Sequence, residues 1–123
     1  MDPEFIRDLF APFRPVTMRP FFSGTGLYAG GLMFGFVFDG AIYLKVDDAS
    51  IADFEREGSG PFTYTRGKNS KNPSRHALAY WRLPERLYDD PDELAVWATR
   101  ALAVVERKKF APRKQARRKS RHK

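Results

Sequence analysis

The chain contains no cysteine. That excludes a disulfide framework, a thiolate nucleophile and any cysteine-ligated zinc or iron–sulfur centre. Histidine is nearly absent too. His76 and His122 are the only two, and neither has the His or carboxylate spacing of a metal site. A Ser-His-Asp arrangement could be built only on His76, and no nucleophile elbow accompanies it. Apolar runs are short. The longest, Gly30 to Phe38, falls far below the roughly 20 residues that cross a bilayer. The N-terminus lacks the basic flank and apolar stretch of a signal peptide. These absences point to a cytoplasmic domain without metal, cofactor or catalytic centre, and without a membrane partner. Met1-Asp2-Pro3-Glu4-Phe5 reads as a translated cloning site and carries no functional weight.

Acidic residues are missing from one end of the chain. Arg113 to Lys123 holds seven Lys or Arg and no Asp or Glu. Of 22 basic residues, 15 then remain in residues 1–112, against 15 acidic ones, so the formal net charge of +7 belongs to this end. A segment so charged cannot bury itself, and the expectation is a disordered basic tail, 113–123, after one domain, 1–112. Arg113, Lys114, Arg117, Arg118, Lys119, Arg121 and Lys123 are its candidate nucleic-acid contacts. They would act through phosphates and counterion release with little sequence specificity. A merely solubilising tail is the competing reading.

Aromatic residues, by contrast, are plentiful. They make up 15% of the chain, with Phe supplying 11, and rings in that number must be buried in a core or at an interface. Ile6, Leu9, Phe10 and Phe13 recur at helical spacing, predicting a helix from Pro3 to Phe13 that Pro15 ends. A β-rich stretch follows. Val16 to Phe22 is a first strand, interruptible at Pro20, and Ser23-Gly24-Thr25-Gly26 reads as a turn. Gly30-Gly31 and Asp39-Gly40 are two-residue hairpin signals between further strands. In Ala41 to Val46, Ile42, Leu44 and Val46 would share one face. Asp47 to Glu57 is a helix with Ser50 as N-cap and Asp53 completing its capping box, stopped by Gly58. Phe62 to Arg66 and His76 to Leu83 form a second hairpin around the polar, basic loop Gly67 to Arg75. Asp90-Pro91-Asp92-Glu93 opens a last helix, with a capping box between Asp90 and Glu93, that runs to about Lys109 before Pro112. Antiparallel strands with segregated helices give an α+β two-layer sandwich, helices on one face, in the order α-β(3-4)-α-β(2)-α.

Several features invite sharper readings. The third glycine of Gly24-Thr25-Gly26-Leu27-Tyr28-Ala29-Gly30-Gly31 is out of step with a dinucleotide fingerprint, and a β pattern follows it. Hairpin turns explain these glycines. Gly67-Lys68-Asn69-Ser70 lacks the upstream glycine of a P-loop. Asp89, Asp90, Asp92 and Glu93 suit helix capping better than a metal. Phe21, Phe22, Tyr28, Phe34, Phe36 and Phe38 could stack on bases. A core is the stronger reading, with Phe34, Phe36 and Phe38 on one strand face meeting the helices.

An ordered set of segments resembles the N-terminal domain of the TfoX/Sxy family of bacterial competence regulators. The segments are Met18-Arg19-Pro20-Phe21-Phe22-Ser23-Gly24, Gly26-Leu27-Tyr28, Met33-Phe34, Tyr43-Leu44-Lys45-Val46-Asp47, Pro61-Phe62-Thr63-Tyr64, Tyr80-Trp81 and Trp97-Ala98, spanning about residues 7 to 107. Pro20 and Phe21 depart from the family's Arg-Met pair, and the loop from Gly67 to Arg75 is longer and more polar than usual. The helical C-terminal domain of full-length competence regulators has no counterpart here. The resemblance implies a helix, three strands, a helix, two strands and a helix, similar to secretion chaperones, with no enzyme activity and no cofactor. It implies a regulatory adaptor whose protein partner belongs to transcription or DNA-topology control. The expected contact surface is the exposed sheet face or the glycine-rich hairpin, with Arg19, Tyr28 and Lys45 as candidate partner contacts. Direct nucleic-acid binding through the tail and the Gly67–Arg75 loop is the alternative, which the zero net charge of residues 1–112 disfavours. A small enzyme is a third reading, which needs a pocket with convergent titratable groups.

Overall fold

The computed structural model describes residues 1–110, and their strands form one antiparallel sheet with three helices on one face. In chain order the elements are α1 (Pro3–Leu9), β1 (Thr17–Phe21), β2 (Gly24–Ala29), β3 (Leu32–Phe38), β4 (Ala41–Lys45), α2 (Asp48–Arg56), β5 (Pro61–Arg66), β6 (Ser74–Arg82), a 3₁₀ turn (Glu85–Asp89) and α3 (Pro91–Lys109). The sheet order is β1-β2-β3-β4-β6-β5. Four strands therefore precede α2. The α+β architecture matches the sequence reading. The expected tail, with its candidate contacts Arg113, Lys114, Arg117, Arg118, Lys119, Arg121 and Lys123, lies outside the described residues.

Local chemistry explains most element boundaries. Gly30 and Gly31 have φ of 58° and 82°, and Asp39 and Gly40 have 52° and 77°. Two successive positive φ values make type I′ turns, whose twist matches that of the flanking strands. The Ser23–Gly26 turn is not formed. Phe22-Ser23 is the turn, and Gly24, Thr25 and Gly26 lie inside β2. A Cβ at Gly24 would sit 2.0 Å from the Val37 carbonyl oxygen, so glycine here serves close strand packing rather than reversal. The first helix stops at Leu9, ahead of the expected Phe13, because Pro12 supplies no N–H and disfavours helix before it. Pro20 does not break β1; it pairs with Thr25 on a strand at the sheet's edge, where proline is tolerated.

Two capping assignments change. The N-cap of α2 is Asp47, not Ser50. Its Oδ1 accepts from the Ser50 N–H (2.9 Å), while the Asp47 N–H donates to Ser50 Oγ (3.0 Å). Extended backbone persists to Asp47, which places the box one turn earlier and leaves Asp53 free to pair with Arg56 and Arg100. Asp90 does cap α3 through the Glu93 N–H (3.2 Å). The Glu93 carboxylate, however, turns away to accept from Arg86 (2.9 Å) and Trp97 Nε1 (3.3 Å), since a guanidinium outbids a backbone amide.

The main core lies between sheet and helices. It joins Ile6 and Leu9 of α1 and the adjoining Phe10, Phe54 of α2, and Leu94, Trp97, Ala98, Ala101 and Leu102 of α3 to Leu27, Ala29, Phe34, Val37, Ile42 and Leu44 of the sheet. Phe34 does not share a face with Phe36 and Phe38. Tyr28 pairs with Met33 but Leu27 pairs with Gly35, so Phe34 is an extra residue in β3. This bulge resets the alternation. Phe34 meets Phe10 and Phe13 on the helix side, at ring separations of 5.5 and 5.1 Å. Phe36 and Phe38 point to the opposite face.

Candidate functional site

That opposite face is built by register. Arg19 lies across from Gly26, Gly26 from Phe36, Phe36 from Tyr43, and Tyr43 from Arg82. The adjacent row runs from Thr17 through Tyr28 to Met33, and Lys45 faces Tyr80. Cross-strand partners share a face, so one surface carries Arg19, Tyr28, Tyr43, Lys45, Tyr80 and Arg82.

Aromatic rings form its centre. Phe36 packs against Phe21 (4.9 Å), Tyr43 (5.2 Å), Tyr80 (5.1 Å) and Phe62 (5.1 Å). Phe62 also meets Phe38 at 5.1 Å. In a flat sheet β5 and β3 would stand about 14 Å apart. The β5–β6 hairpin therefore curls over the face, and Phe62 is buried beneath it. A register irregularity between Pro61 and Thr63 accompanies the curl. Among the sequence-singled aromatics, Phe34 and Phe36 are core, Phe21, Tyr28 and Phe38 are half-buried, and Phe22 is 67% exposed.

The three candidate partner contacts are brought together on this face. The Arg19 guanidinium sits over the Tyr28 ring at 5.2 Å, and Lys45 Nζ over the Tyr80 ring at 4.9 Å. Such cation–π pairs fix the charge while leaving its outer side available. A Cβ at Gly26 would lie 2.9 Å from Met33 Sδ and 3.0 Å from Tyr28 Cε1, so glycine makes the room into which these side chains lean. Burial, and then the nearby Lys108, lowers the Lys45 pKa. Burial, and then Tyr28, pushes Tyr80 up to about 12, and its hydroxyl donates to the Met33 carbonyl at 3.4 Å.

Charge is segregated between the layers. Every Asp, Glu, Lys or Arg within the six strands is basic: Arg19, Lys45, Arg66, Arg75 and Arg82. No acid occurs from Gly58 to Pro84. The acids concentrate on the helices and their caps. The net-zero count thus conceals a basic sheet and an acidic helix layer, and it does not argue against a basic stripe.

In the clefts described below, the ionisable groups are few or already paired. Ser74 Oγ and His76 Nε2 are hydrogen bonded at 2.9 Å, but His76 stacks on Tyr64 at 5.5 Å, and no carboxylate lies in this stretch of chain. A cleft of about 380 Å³ beside α1 and β1 has Arg7 as its ionisable side chain. One of about 170 Å³ between α2 and α3 holds Asp47, Arg100 and Arg107, which are already ion-paired. Among the described residues, no group of three His, Asp or Glu is placed to hold a metal ion. No described helix is long and apolar enough to cross a membrane.

Sequence reasoning missed Tyr43, Phe62 and Tyr80 as parts of this face. The family segments contain all three, but only the hairpin's curl brings Phe62 to the others. Among comparisons with known proteins, the family model described as the TfoX N-terminal domain matches residues 8–105 of the 123. No curated protein matches the chain.

Proposed function

Since the chain belongs to the TfoX N-terminal domain family, we propose that it is a cytoplasmic, non-enzymatic regulatory adaptor that docks a protein of transcription or DNA-topology control on its aromatic sheet face. The observation that carries this reading is the line of Arg19 over Tyr28 and Lys45 over Tyr80 beside an aromatic cluster, on the face opposite the core that the described helices cover. Rigid aromatic and arginine side chains dominate the energetics of protein interfaces. Phe22, 67% exposed at the rim and 4.5 Å from Phe21, adds an apolar anchor. The basic rim favours a partner with an acidic contact patch. Competence-type regulation is the family's suggestion for the pathway.

The test is affinity capture from nuclease-treated lysate of the native organism, comparing the chain with its Arg19→Glu/Lys45→Glu variant. A transcription or topology protein held by the first and lost by the second is the expected result. The same protein held equally by both, or none held by either, overturns the proposed face.

A further inference from the structure

A second basic feature lies away from the Arg19–Lys45 line. Strand β6 has a strand partner on its β4 side only from Tyr80 to Arg82, with one more bond from the Val46 N–H to the Ala79 carbonyl. The rungs Thr63–Ala77, Tyr64–His76, Thr65–Arg75 and Arg66–Ser74 extend beyond it. They form a two-stranded ribbon roughly 13 Å long at about 3.4 Å per residue, ending in the loop from Gly67 to Pro73. Its charged residues are Arg66, Lys68, Lys71 and Arg75, all basic and all exposed. None of them takes part in the ion pairs among the described residues. One side of the ribbon shows Thr63, Thr65 and Ala77, small side chains that let a surface approach the backbone closely. Arg75 is held across that side by a bond to Thr63 Oγ1 at 3.2 Å.

We infer that the β5–β6 ribbon is an arm that enters a groove of duplex DNA, its four cations contacting the phosphates on either side. A protein partner is the weaker fit, because the arm has no exposed apolar anchor while its charge is entirely of one sign. The major groove, about 12 Å wide, admits a two-stranded ribbon. Contacts of this kind position the protein and carry little sequence information. The inference does not rest on the adaptor reading, since the arm and the Arg19–Lys45 line are separate residues.

The test uses the full chain, so that the basic segment 113–123 is present throughout. Binding to a labelled 24-base-pair duplex is followed by fluorescence anisotropy across a salt series. The comparison is with Arg66→Gln/Lys68→Gln/Lys71→Gln/Arg75→Gln, checked for an unchanged thermal melt. Each lost phosphate contact removes about 0.9 from the slope of log K against log salt, so the expected change is about 3 to 4, with at least a tenfold loss of affinity at fixed salt. Should that variant melt early, Lys68→Gln and Lys71→Gln in the loop each read a change of about 0.9. An unchanged slope overturns the proposal, as does a wild-type chain that fails to bind the duplex at low salt. Equal affinity for a 24-nucleotide single strand overturns the groove geometry.

Discussion

Phe22 holds a left-handed backbone, φ 55°, at the first position of the two-residue β1–β2 turn, where glycine is the residue that fits. A bulky side chain there costs on the order of 1 kcal/mol, and the ring is left exposed rather than buried. Strain retained at an exposed aromatic is what a contact residue would show. Phe22→Gly is expected to raise the unfolding free energy by about 1 kcal/mol in urea denaturation while weakening partner capture. Stability and capture falling together would instead make Phe22 a packing residue. Gly24→Ala acts in the other direction. Its Cβ would meet the Val37 carbonyl at 2.0 Å, so a loss of about 3 kcal/mol is expected by the same measurement. At this scale the sequence was legible where chemistry is local. Gly30, Gly31 and Gly40 announce their turns through the residues beside them. The role of Gly24 depends on a strand thirteen residues away and leaves no local mark.

Helices α2 and α3 are joined by charge. Asp47 pairs with Arg107 at 2.7 Å, Asp53 pairs with Arg100, and Arg86 bridges Glu57 (2.8 Å) and Glu93 (2.9 Å). Arg86 holds the Glu57 and Glu93 carboxyls below their ordinary value of 4.5, with Trp97 adding to the effect on Glu93. Desolvation works to raise Asp47, but the bonds from Arg107 and Ser50 outweigh it and hold it below 3.8. Because these pKa values are depressed by folding, their stabilisation is present above the unfolded values and is lost as pH falls through and below them. Melting temperature is expected to hold from neutrality to about pH 5 and to fall below about pH 4.5, with a shallower fall in Arg86→Gln. An identical acid limb in that variant would show the bridge to be unimportant. Phe62→Ala is expected to cost about 3 kcal/mol in urea, because the ring fastens the curled β5–β6 hairpin over β3. Element types were readable from periodicity and caps. The bulge at Phe34 was not, because an alternating run looks regular until pairing partners are known. That extra residue decides which phenylalanines enter the core and which form the aromatic face.

Across the whole molecule, helices and sheet carry opposite charge. The candidate contacts Arg19, Tyr28 and Lys45 were accessible from the family segments, yet their assembly into one line required the register. The segregation was invisible in a net count of zero. It predicts that the chain binds a cation-exchange resin more tightly than its charge explains, and that Arg66→Gln/Arg75→Gln elutes at markedly lower salt. Equal elution would place the dominant charge elsewhere. The same open sheet has a consequence for self-assembly. Strands β1 and β5 end the strand order, and an unpaired strand rim invites another chain to add itself and propagate a fibre. Pro20 removes a donor from one rim, and Arg66 repels a second copy at the other. A proline on one edge strand and an arginine on the other thus both work against end-to-end pairing of sheets.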